Sequence, residues 1–141
     1  MRKVALTAVL FAFTMSTASA NDEEWAFVSK REGRNGFSTY ILPSSINHTY
    51  VTFLEVKDVY PSLSRYDYAW AVWEVNCDDG EMTQPFGAIV YFKNERPREV
   101  PGLEIKVTPS SSRYELFNYI CSLREERFRQ EEEELDKLLE D

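Results

Sequence analysis

Histidine is nearly missing from this chain. His48 is the only one in 141 residues, beside two cysteines and five glycines. A single histidine removes His-rich metal sites, and any Ser-His-Asp or Cys-His machinery would have to run through His48. Cys77, Cys121 and His48 cannot complete a four-ligand structural zinc site without carboxylates. Neither cysteine lies in a C-x-x-C pair, which argues against a thioredoxin-like redox role. The glycines form no dinucleotide or P-loop pattern, and G-x-S-x-G and H-E-x-x-H are absent. No apolar run approaches the ~20 residues of a spanning helix. Bases are few: 16 Lys and Arg stand against 24 Asp and Glu, a net charge of −8. That balance disfavours nucleic acid and anionic membrane surfaces as partners. The expectation is a non-enzymatic protein with no cofactor and no metal.

What is present first is "MRKVALTAVLFAFTMSTASA" at residues 1–20. Arg2 and Lys3 precede an apolar stretch of about twelve residues, and Ala18-Ser19-Ala20 is a small-x-small site. This is the layout of a secretory signal peptide, cut between Ala20 and Asn21. No cysteine sits at the cut, so no lipid anchor is expected there. The mature chain from Asn21 then has 14 bases against 24 acids, a net charge of −10. Its length suits one domain. "NHT" at 47–49 matches the N-glycosylation pattern, which matters only in a eukaryotic source.

Export places Cys77 and Cys121 in an oxidising compartment. The expected outcome is a structural disulfide between them. Free or intermolecular thiols, and a cysteine nucleophile paired with His48, are the alternatives.

The body of the chain reads as short strands: 25–30, 37–42, 49–59, 68–77, 86–94 and 103–107. Turn-forming or proline-bearing segments separate them. In "YAWAVWEVNC" (68–77) one face carries Tyr68, Trp70, Val72, Glu74 and Asn76. The other carries Ala69, Ala71, Trp73, Val75 and Cys77 and is apolar to its end, so Cys77 is expected to point inward. "DDGEMTQP" (78–85) reads as a turn. Its acidic cluster, Asp78, Asp79 and Glu81, has calcium as the alternative reading. "ERPREVPG" (95–102) reads as a break, and Leu103, Ile105 and Val107 as the inward face of the last strand. No helix-period segment separates these strands, which implies an antiparallel sheet.

From 108 onward the pattern changes. Ser112 and Glu115 fit a capping box. Leu116, Ile120 and Leu123 recur at helical spacing, widened by Phe117, Cys121 and Phe128. One long helix from about Ser112 is expected, packed on the sheet and fraying near its end. Residues 122–141 form an acidic helical tail holding half of the mature net charge. It reads either as a solvated extension or as a segment that docks on a basic partner or a second copy. The resulting fold class is α+β: an antiparallel sheet of about six strands with a C-terminal helix on one face. The divisions are 1–20 signal peptide, 21–121 domain and 122–141 tail.

Aromatics are plentiful, at nine Phe, eight Tyr and three Trp. Tyr40, Tyr50, Tyr60, Tyr66, Tyr68 and Trp70 crowd the second to fourth strands. One helix cannot cover both sheet faces, so some of them are expected at an exposed binding surface, or as cross-strand pairs on the open face.

The order of these features resembles the bacterial surface-adhesin protein E family. The likeness runs over residues 25–121, from Trp25 through "STYIL", "VTFLEVKDV" and "EVNCDDG" to "EVPGLEIKVTPSSS" and "ELFNYIC". It implies a C-terminal helix tied to the sheet by a Cys77–Cys121 bond. It implies binding of host matrix or serum proteins such as vitronectin and laminin, or of envelope proteins, from a cell-surface, secreted or periplasmic location. Dimerisation and haem binding are also associated with the family, with His48 the lone candidate for haem. The missing lipid-anchor cysteine sets this chain apart from the adhesin type. It keeps open a soluble periplasmic accessory or inhibitor whose acidic tail docks on a basic partner.

Overall fold

The computed structural model describes residues 24–140 apart from 62 and 64. The signal segment and the cut between Ala20 and Asn21 lie outside the described residues.

Nine strands make one antiparallel sheet: β1 Ala26–Arg31, β2 Phe37–Ile41, β3 Asn47–His48, β4 Thr52–Val59, β5 Tyr66–Asn76, β6 Glu81–Thr83, β7 Ala88–Phe92, β8 Arg98–Val100 and β9 Glu104–Lys106. They fill six positions across the sheet. β2 and β3 both pair with β4, β6 and β7 both pair with β5, and the outer position is shared by β9 and β8. The long partners β4 and β5 form its centre, in register from Thr52–Val75 to Val59–Tyr68.

Two expectations on this side of the sheet need correction. The turn after Cys77 ends at Gly80, and Glu81–Thr83 is a strand. Within that turn, the Asn76 side chain accepts from the Asp79 N–H and donates to the Asp79 carboxylate, while Gly80 takes φ +69°. Asn76 and Asp79 thus build the turn, the role that Asx side chains favour, while Asp78 faces Arg124 of the helix at 3.9 Å. Residues 98–100 also pair, despite the flanking prolines, because β8 is an outer strand where proline is tolerated next to the ladder.

α1, Tyr114–Glu140, packs on one face of the sheet. That face carries Ile41, Leu54, Val56, Ala71, Trp73, Val75 and Met82, and the helix adds Leu116 and Ile120. Each large apolar side chain buried there contributes about 1.5–3 kcal/mol. Alternation is clean along β4: Thr52, Leu54, Val56 and Asp58 are buried and their neighbours are not. Leu103 departs from the inward reading and is exposed, whereas Ile105 and Val107 are half-buried. The helix starts at Tyr114 rather than Ser112. Ser111, not a Ser112–Glu115 box, organises the approach: its hydroxyl accepts from the Thr108 N–H at 2.8 Å.

Cys77 and Cys121 are joined by a disulfide, with their Cα atoms 5.7 Å apart. The bond ties the third turn of α1 to the end of β5. Both half-cystines are half-buried against the core. Among the described residues, no helix is long and apolar enough to cross a membrane.

Candidate binding face on the open side of the sheet

Strand alternation puts a second set of side chains on the face away from α1. Six consecutive ladder partners run straight across it: Phe27, Tyr40, Lys57, Trp70, Ile89 and Glu99, one from each position of the sheet. Phe27 meets Tyr40 edge-on, with centroids 5.8 Å apart. One step along, Tyr68 and Tyr91 stack at 4.4 Å. These are cross-strand pairs of the kind that stabilise a sheet.

Lys57 sits between the pairs. Its ammonium lies 4.6 Å from the Trp25 ring centroid and 5.5 Å from that of Tyr68. A cation over two ring faces is held by their quadrupoles while one side still faces solvent. Trp70 is fixed from the same face, its Nε1–H donating to Glu55 Oε1 at 3.0 Å. Trp25, Lys57, Tyr68, Trp70, Ile89 and Tyr91 line a groove of about 380 Å³. Burial, followed by the neighbouring Tyr91 and Asp67, pushes the Tyr68 phenol above its ordinary value, so it remains a neutral hydrogen-bonding group at neutral pH. The groove therefore offers flat apolar walls, one positioned cation and phenol hydroxyls. That set suits recognition, and it contains no nucleophile–base pair.

Of the aromatics singled out from sequence, Tyr40, Tyr68 and Trp70 share this face. Tyr60 packs against Phe37 and Tyr66 against Phe92, while Tyr50 sits almost fully exposed in the loop after β3. Lys57, Ile89 and Tyr91 complete the groove with Trp25, which entered the sequence reading only through the family resemblance. Parity alone would have found Lys57, which alternates with Val56 and Asp58 on β4.

His48 lies elsewhere. It is the cross-strand partner of Thr52, and its Nδ1 is 2.9 Å from the Thr52 hydroxyl. Burial first, then the Arg127 and Arg124 guanidiniums, lowers its pKa below the usual 6.5, and Glu131 opposes them in part. The imidazole is therefore neutral at neutral pH. A haem would require an apolar slot beside a free ring nitrogen. Here Nδ1 is engaged by Thr52, which leaves Nε2 as the nitrogen an iron would need, and charged groups from the helix, Arg124, Arg127 and Glu131, act on the ring. Among the described residues, no cluster of three or more His, Cys, Asp or Glu is arranged to hold a metal.

A second polar centre went unpredicted. Asp58, on the buried side of β4, receives a bidentate guanidinium from Arg113, just before α1. The Thr39 hydroxyl also donates to Asp58, at 2.8 Å. Arg113 and Asp58 are 8% and 5% exposed, and the guanidinium lies over the Trp73 and Phe37 rings. This cluster satisfies itself and anchors the helix start. It leaves no free valence for a ligand.

No family model and no curated protein matches the chain. Among solved structures, crystal form II of Haemophilus influenzae protein E matches with a TM-score of 0.51 at 17% identity, covering 73% of this chain and 92% of that one. Another structure of the same protein gives the same score and identity over 73% and 89%. The chain is thus similar to Haemophilus influenzae protein E in fold, an antiparallel sheet with one C-terminal helix, at an identity where the likeness speaks for the fold alone.

Proposed function

We propose that the chain is an exported, non-enzymatic binding protein that engages another protein through the open face of its sheet. The observation that carries this reading is the cross-sheet row with Lys57 held over Trp25 and Tyr68. Half-buried aromatics around a positioned cation are the composition of interface hot spots. The signal-like first twenty residues and the Cys77–Cys121 bond support export. The fold likeness to protein E and the resemblance to the surface-adhesin protein E family favour a host matrix, serum or envelope protein as the partner.

The test is affinity purification from the native envelope, and from host matrix or serum proteins, with the wild-type chain. The captured partner is then measured against Lys57→Glu and Tyr91→Ala. A loss of about tenfold or more with unchanged melting is expected for a hot-spot residue. Undiminished binding by both variants would remove the open face from the reading. Protease digestion of whole cells separates surface display from periplasmic residence, and full protection would sink an adhesin role.

A further inference from the structure

α1 outruns the sheet. The Cys77–Cys121 bond and the Arg124–Asp78 contact at 3.9 Å hold the 121–124 stretch of the helix at the end of β5, where Val75 pairs with Thr52 and Thr52 with His48. Every residue from 129 to 140 is exposed, yet the segment stays helical to Glu140. At ~1.5 Å per residue this is an arm of about 18 Å. Leu135, Leu138 and Leu139 are 56%, 73% and 75% exposed. They stand about five turns beyond Phe117, Ile120 and Cys121, and therefore at the same angles around the helix axis. The positions that pack on the sheet at 117–121 are thus repeated by three leucines with no sheet beneath them. Lone exposed leucines are ordinary, but a three-residue stripe in register with the buried face is an unfinished interface.

Charge decides what completes it. Residues 131–140 hold six acids and one base. Arg127 and Arg129 pair with Glu131 and Glu133 at the root of the arm, so its positive partners lie toward the sheet rather than the tip. A second copy would bring another acidic arm against this one, and like charges at an interface oppose pairing. We infer that the arm's leucine face docks a basic amphipathic segment of another protein, with apolar side chains on Leu135, Leu138 and Leu139 and lysines or arginines against the flanking glutamates. This surface is separate from the open-face groove and stands or falls independently of it.

The test titrates the full mature chain, by fluorescence anisotropy, with a synthetic leucine–lysine amphipathic helix and with its leucine–glutamate counterpart. The lysine peptide is expected to bind, at least about tenfold tighter than the glutamate peptide and with affinity falling as salt rises. The variant Leu135→Ser/Leu138→Ser/Leu139→Ser is expected to lose about tenfold or more, since stripe burial supplies the apolar part. Circular dichroism checks that its helix persists. The variant Glu132→Gln/Glu134→Gln/Asp136→Asn, which leaves the leucines in place, is expected to flatten the salt dependence. Equal binding of the two peptides overturns the proposal, as does full binding by the serine variant. So does sedimentation showing that the free chain dimerises and that the serine variant is a monomer.

Discussion

Arg113 and Asp58 meet across 55 positions of sequence, at the place where the helix joins the sheet. Both are desolvated, and each satisfies the other with help from Thr39. Removing one partner leaves a buried charge alone, which typically costs about 3–5 kcal/mol. Urea denaturation of Asp58→Ala and of Arg113→Ala is expected to show losses of that order. The double change Asp58→Leu/Arg113→Met is expected to cost clearly less than the sum of the single changes, because no unpaired charge is left behind. Half of this pair was legible in the sequence. An acid at the inward parity of "TFLEVKDV" asks for a buried partner. The identity of the partner was not legible. Strand alternation is local, whereas the partner comes from the far end of the chain. The same limit applies to Lys57: its face follows from parity, but the rings above it come from β5 and from the residue before β1.

Elements show a related division. The long central strands β4 and β5 announce themselves through unbroken alternation, and α1 through its 3.6-residue period. The short strands at the other side do not, because two of the six positions are interrupted at matching places. β6 stops and β7 begins around residues 84–87, and the adjoining outer position breaks at 101–103. Gln84 stitches the break: its backbone N–H donates to Leu103 O at 2.8 Å, and its side-chain Oε1 accepts from the Leu103 N–H. Gly87 takes φ +75°, and a Cβ there would fall 2.4 Å from Val100 O. Gly87→Ala therefore combines left-handed strain with a backbone collision. A loss of at least ~1–3 kcal/mol is expected by thermal or urea unfolding. An unchanged midpoint would mean that the β7–β8 ladder is free to move apart. No sequence pattern marks two breaks that face each other, since the register between them exists only once the strands have paired.

The whole molecule is a sheet with two unlike faces, one sealed by α1 and one left to its aromatics. That asymmetry was legible: six positions of strand with a single helix leave one side open, and the count of apolar and aromatic residues is generous for one layer of core. The covalent tie was legible too, because a chain with a signal-like start and two cysteines is expected to pair them, and two cysteines have one intramolecular pairing. What it spans has a mechanical meaning. The bond closes the 44-position stretch from Cys77 to Cys121 into a loop, worth about 4 kcal/mol in the chain-entropy model. A load applied between the start of β1 and the tip of α1 bypasses that loop. Two strand positions, β6 with β7 and β9 with β8, and the first turns of the helix lie within it, so tension extends only β1 to β5 and the outer helix before it meets a covalent stop. Pulling single molecules between residues 24 and 140 is expected to release a contour shorter by about 150 Å with the bond intact than after reduction, at ~3.5 Å per extended residue. The disulfide thus sets how far this protein can stretch before a bond must break.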